Sequence, residues 1–153
     1  MKKNKGFLLL LIPLLLGCQT YAGPTFYVNS DSHPAYVLLD SIASFHEMTN
    51  QLSNFIFVLG VTSCQSCQNL DGELETYVQK EDYSIYHLYY DQSINSENDY
   101  SILTSIINGE NNFLPIYHDS FYVPIIFIIQ NKVAVYSINN DFISILGHCI
   151  KTF

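Results

Sequence analysis

Cys64-Gln65-Ser66-Cys67 sets two thiols three residues apart. The pair follows an unbroken apolar run, Phe55-Ile56-Phe57-Val58-Leu59-Gly60, and precedes a segment with Leu70, Leu74, Tyr77 and Val78 at helical spacing. Apolar residues without alternation predict a strand buried on both faces. The cysteines therefore stand where a strand hands over to a helix. At a helix start several backbone N–H groups lack partners and the macrodipole is positive. A sulfur anion is stabilised there, so Cys64 is expected to ionise more readily than a free thiol. The three-residue spacing in the first helical turn brings Cys67 within bonding reach. The pattern predicts thiol–disulfide exchange, with Cys64 attacking and Cys67 resolving the mixed disulfide. The Cys64–Cys67 disulfide is itself the redox group, and no other cofactor is expected.

Two other readings of the pair stay open. It could be a purely structural disulfide, as exported proteins often carry. It could be half of a zinc site with His87, His118 or Cys149. No second CxxC and no His pair supplies the usual ligand spacing, so no metal is expected. Cys149 falls on the apolar face of a C-terminal helix and reads as a small buried hydrophobe. His33, His46 and His148 carry no spacing signal. Asp71, Glu73 and Glu75 read as a solvated helix face that suits the positive helix end. Most of the 12 tyrosines, Tyr86, Tyr89 and Tyr90 among them, are expected to pack in strands.

The elements that must position the cysteines follow from periodicity. Ala35–Ile42 predicts a short first strand. Ser44 with Glu47 forms a capping box for a helix whose stripe is Phe45, Met48 and Leu52. The helix after Cys67 is expected to reach about Lys80, and Tyr83–Asp91 is a strand. Glu97–Asn108 is a helix carrying Ile102, Leu103, Ile106 and Ile107, stopped by Gly109. Glu110–Phe121 is a loop. Val123–Ile129 is a second buried strand, Gln130-Asn131-Lys132 a turn, and Val133–Ile138 its antiparallel partner. Asn139 or Asn140 caps a last helix with Phe142, Ile145, Leu146 and Cys149 inward. A βαβ unit followed by a hairpin implies a mixed sheet covered on both faces.

The first stretch stands apart from this pattern. Met1-Lys2-Lys3-Asn4-Lys5-Gly6 is cationic and Phe7–Leu16 is apolar, which is the layout of a signal peptide. The apolar part is short for a transmembrane helix. Leu15-Leu16-Gly17-Cys18 resembles the bacterial lipobox, which implies a leader over 1–17 and a lipidated Cys18. Ordinary secretion with cleavage near Tyr21-Ala22-Gly23 is the alternative. Residues 18–34, rich in Ser, Asn, Gly, Pro and Asp, read as a tether, and 35–153 as the folded domain. Beyond Cys18 only Lys80, Lys132 and Lys151 stand against all 14 Asp and Glu. Charge would not draw such a surface to an anionic bilayer, so lipid must do the anchoring.

With a net charge of −8 and no arginine, the chain lacks the cationic clusters that nucleic acid needs. Its length suits one domain with a core of its own.

Strand, CxxC, helix, and a Val-Pro opening a terminal hairpin together resemble the thioredoxin fold, an α/β/α sandwich around a mixed sheet. The resemblance covers about Ala35 to Phe153. Phe55–Cys67 and Val123–Tyr136 are most similar to the small thioredoxin-like bacteriocin transport accessory proteins. The resemblance implies that Pro124, after Val123, is cis, lies beside the cysteines and offers backbone to a substrate chain. The sequence departs from thioredoxins at three places. Ser63 stands where they carry Trp, Val58 where they carry a buried proton-shuttling Asp, and Gln65-Ser66 where they carry Gly-Pro. Two functions are therefore expected. The first is a lipid-anchored, extracytoplasmic oxidoreductase acting on exported cysteine-containing proteins or peptides, served by a redox partner protein. The second is a non-catalytic accessory lipoprotein for bacteriocin or peptide export or immunity.

Overall fold

The computed structural model describes residues 24–108, 114, 122–139 and 141–152. The expected leader, Cys18, His118 and most of the 110–121 loop lie outside the described residues. In chain order the first elements are β1 (Phe26–Val28), β2 (Tyr36–Leu39), α1 (Ile42–Gln51), β3 (Phe55–Gly60), α2 (Gln65–Val78) and β4 (Ile85–Tyr89). Then come α3 (Tyr90–Ser93), α4 (Glu97–Ile107), β5 (Ile125–Gln130), β6 (Val133–Ile138), α5 (Phe142–Cys149) and β7 (Ile150–Thr152).

The two unbroken apolar runs, β3 and β5, lie next to one another inside a five-stranded sheet of order β2-β4-β3-β5-β6. β4 runs parallel to both β2 and β3, whereas β5 is antiparallel to β3 and β6 to β5. Cover on both faces explains why the runs do not alternate. In β3, Phe55, Phe57 and Leu59 pack with Phe45 of α1 and Leu103 of α4. Ile56 and Val58 point the other way, into a cluster with Leu70 and Leu74 of α2 and Leu146 and Cys149 of α5. This is the α/β/α sandwich with a mixed central sheet that the sequence predicts. Among the described residues no helix is long and apolar enough to cross a membrane.

The expected tether needs correction from Phe26 onward. β1 pairs in parallel with β7, and Phe26 and Val28 are buried in the core. Asn29 N donates to Asn54 O at 3.0 Å, and Asp31 accepts from the Ser84 hydroxyl at 2.5 Å. The folded unit thus begins before Ala35. Two inward residues flanking one outward tyrosine suffice for such a strand, and the polar residues after it hid that pattern.

The first helix starts at Ile42, because Ser41 and not Ser44 is its cap. Ser41 Oγ accepts from Ser44 N at 3.2 Å, and Asp40 accepts from both serine hydroxyls. The last helix starts behind Asp141, not behind Asn139 or Asn140, and Asp141 makes no side-chain cap bond. β4 stops at Tyr89 because Tyr90 opens the short α3. The β5–β6 turn is confined to Asn131 and Lys132, both at positive φ (51° and 68°), with Gln130 facing Val133. That is the backbone a two-residue hairpin requires.

Candidate functional site

Register places the two halves of the site together. Leu59 faces Ile125 across the β3–β5 ladder, so the residues just beyond, Gly60 and Pro124, end the ladder on the same side. Cys64 follows Gly60 by one short turn, in which Cys64 N donates to Val61 O at 3.2 Å. Asp91 anchors that turn by accepting from both the amide and the hydroxyl of Thr62. Burial pushes the Asp91 carboxyl up, but the two Thr62 bonds prevail and hold it below the usual range. Gln68 closes the loop from the helix side by donating to Thr62 O at 2.8 Å.

Cys64 is the N-cap of α2, and its sulfur accepts from Cys67 N at 3.1 Å. Its carbonyl takes the amides of Cys67 and Gln68. The helix is 14 residues long, so its N-terminal partial charge is developed next to the sulfur. Cys64 and Cys67 are joined as a disulfide with their Cα atoms 5.3 Å apart. The two sulfurs are not equivalent. Cys64 is half-buried and faces outward, while Cys67 is 1% exposed. The Cys64 sulfur also lies 3.7 Å from Val123 O. The Val123–Pro124 bond is cis, Pro124 is buried and Val123 half-buried. The structure thus brings all four of Cys64, Cys67, Val123 and Pro124 to one place.

A polar network lies directly behind Cys67. His87 on β4 faces Val58 across the parallel ladder and is 1% exposed. Its Nδ1 is 2.6 Å from the Tyr36 hydroxyl and 3.0 Å from Asp71 Oδ1. Tyr36 donates to Asp71 Oδ1 at 2.5 Å, and Tyr89 donates to Asp71 Oδ2. Burial pushes the Tyr36 phenol up, and the Asp71 bond adds to it. Tyr89 is pushed up to about 12 by the same two causes. Both phenols therefore stay protonated and donate. Burial holds the His87 imidazole below its usual range, against the pull of Asp71. Among the described residues its Nε2 has no hydrogen-bond partner.

Sequence reasoning missed this network. Asp71 belongs to it and not to a solvated face, which corrects that expectation. The spacing held a signal: Asp71 follows Cys67 by one helical turn, so both look at the same strand. Ile85, His87 and Tyr89 likewise share one face of β4. Among the described residues no group of three His, Cys, Asp or Glu could hold a metal ion. Cys149 is fully buried in the α2–α5 core, where burial raises its thiol.

No protein-family model matches the chain, and no curated protein matches it in sequence. Solved structures match through their fold. One described as having a thioredoxin fold aligns with a TM-score of 0.54 at 18% identity, over 75% of this chain and 93% of its own. Oxidised thioredoxin O1 from Arabidopsis thaliana aligns with a TM-score of 0.54 at 13% identity, over 76% and 99%. Schistosoma mansoni thioredoxin aligns at 0.52 and 14% identity, over 74% and 90%. The chain has a thioredoxin fold.

Proposed function

We propose that this chain is a thiol–disulfide oxidoreductase that works outside the cytoplasm from a lipid anchor on Cys18. One observation carries the exchange chemistry, while the anchor rests on the lipobox resemblance of Leu15-Leu16-Gly17-Cys18. The half-buried Cys64 sulfur stands at a helix start beside the Val123 carbonyl, and its bonding partner Cys67 lies buried behind it. A nucleophile needs access and a stabilised anion, whereas a resolving thiol needs only the nucleophile.

The Cys64 thiolate attacks a substrate disulfide. A bond forms from Cys64 Sγ to one substrate sulfur, and the other substrate sulfur leaves with the electron pair. Cys67, once deprotonated, attacks Cys64 Sγ, the Cys64–Cys67 bond forms, and the first substrate sulfur leaves as a thiolate. The substrate gains two electrons and the cysteine pair loses them. The same steps run backwards oxidise a substrate dithiol. Val123 and Pro124 offer backbone along which an extended client chain lies beside the sulfur. The clients are exported proteins or peptides with cysteines, and a separate redox protein resets the pair. No nucleic acid is bound, and no cofactor beyond the disulfide is used. The leader ends at Gly17, and the folded domain begins near Phe26 in place of Ala35.

A soluble version starting at Gly23 tests the reading by Cys64 alkylation against pH and by turnover of a scrambled protein. Ionisation well below the roughly 8.5 of a free thiol, with turnover, is expected. Ordinary ionisation without turnover removes the enzyme. Val58 and Ser63 favour a second reading, the accessory lipoprotein for bacteriocin or peptide export or immunity, since Val58 has no carboxyl to shuttle a proton and Ser63 no broad contact surface. In the full chain, Cys64→Ala with an unchanged export phenotype selects it. For the anchor, Cys18→Ser is expected to move the full chain out of the membrane fraction.

A further inference from the structure

Val58 offers no proton acceptor behind the cysteines, but the neighbouring strand places an imidazole at its side. A Cβ built on Gly60 would come within 2.7 Å of His87 Nε2 and 3.4 Å of Cys67 Cβ. The ring nitrogen and the resolving cysteine therefore both pack against Gly60, so closely that only a glycine fits between them. We propose that His87 Nε2 accepts the proton of the Cys67 thiol as Cys67 attacks the mixed disulfide, with Asp71 and Tyr36 as positioning residues. The inference rests on the exchange reading above and supplies the base that reading lacks.

The hydrogen bonds assign the tautomer. Tyr36 and Tyr89 both give their protons to Asp71, so Nδ1 is left to donate to the Asp71 and Tyr36 oxygens. A neutral ring with its proton on Nδ1 carries a lone pair on Nε2. Among the described residues that atom is buried and unpartnered, and a buried polar atom in that state asks for an explanation, which a proton-accepting role supplies. The groups facing the ring are Asp71 and Cys67 of α2, Tyr36 of β2 and Tyr89 of its own strand, while β3 contributes Val58 and Gly60. Burial keeps the resting ring neutral, which leaves Nε2 its lone pair.

The step balances. The Cys67 S–H bond breaks and its proton moves to Nε2. The Cys67–Cys64 bond forms as the bond from Cys64 to the substrate sulfur breaks, and that sulfur leaves with the electron pair. The imidazolium then returns its proton to the leaving sulfur or to solvent. In the reverse direction the imidazolium protonates Cys67 as it departs.

The aromatic disulfide dithiobis-nitrobenzoate separates the two attacks on the reduced protein. Cys64 releases one coloured thiolate as it attacks, and Cys67 releases the second. His87→Gln is expected to leave the first release unchanged and to slow the second about 100-fold near neutral pH. The gap should close as the pH rises and Cys67 ionises unaided. Gly60→Ala, which presses on the ring without removing a titrating group, should also slow only the second release. An unchanged second release in His87→Gln, or equal slowing of both, overturns the proposal. The unaltered protein gives a further check through imidazole nitrogen shifts. A neutral ring protonated on Nδ1 is expected, and one protonated on Nε2 overturns it. A first release no faster than that of free cysteine, with a His87-dependent second, defeats the oxidoreductase reading and leaves this one standing.

Discussion

The two faces of the central sheet are built from different materials. Toward α1 and α4 the contacts are Phe45, Phe57, Phe127, Leu103 and Ile107, all buried, and the rings of Phe45 and Phe57 stand 4.4 Å apart. Toward α2 the same strands offer Val58, Ile85 and Ile126, but also His87, with Tyr36 and Tyr89 converging on Asp71. One face is held by area removed from water and dense packing, which ask for no exact partner. The other holds polar groups that are tolerable only while bonded. The difference teaches that the chemistry here sits on the face with less tolerance. The apolar face gives that arrangement a rigid back.

Substitutions can break or sharpen this contrast. Cys64→Ser should abolish exchange altogether, read as loss of turnover, while leaving chemical denaturation of the reduced protein unchanged. On the apolar face Phe57→Ala should do the reverse, costing about 3–5 kcal/mol in denaturant with exchange intact in the folded fraction. Tyr36→Phe removes one hydroxyl from the polar face and strips a donor from Asp71. About 1–3 kcal/mol is expected, a loss out of proportion to the single oxygen atom removed.

Acid should act through the polar face first. Folding lowers the His87 value, so the unfolded chain takes up that proton near 6.5 while the folded one still refuses it. Stability should therefore decline as pH falls below about 6.5, and His87→Gln should flatten that part of the curve. A second decline belongs to Asp31 and Asp91, whose carboxyls are held low by Ser84 and Thr62 and lose that stabilisation only as they are protonated below the ordinary 3.8. An upper decline that persists in His87→Gln would count against the assignment. The smallest effect is expected at Ser41→Ala, about 1 kcal/mol for a lost cap.

Much of the sandwich was legible in β3 and β5, because apolar residues without alternation have one structural meaning when bounded by turns. CxxC at a strand–helix junction marked the thiols, whereas Val123 and Pro124 were marked through the resemblance to the thioredoxin fold. The polar network was legible only within each element, in the spacing of Asp71 from Cys67 and of His87 from Tyr89, and not as a whole. It depends on Val58 facing His87 and on Asp71 looking at β4, and a register between strands far apart in sequence leaves no local trace. Ser41 was passed over because Ser44 and Glu47 match the capping box better; the winning cap relies on Asp40, one residue outside that pattern. β1 and β7 are three residues each, too short for periodicity to rise above the polar residues around them.

Those two short strands have a consequence for how the molecule opens. Among the described residues they pair only with each other, and the ladder that joins them closes nearly the whole described chain into a loop. Closing so long a loop gains little until the intervening sheet exists, so the latch forms late. It should also come undone early, exchanging its amide hydrogens through a partial opening while β3 and β5 wait for global unfolding. A protease that trims the last strand would then free Phe26 and Val28 at the far edge of the folded unit, so damage to one edge is felt at both.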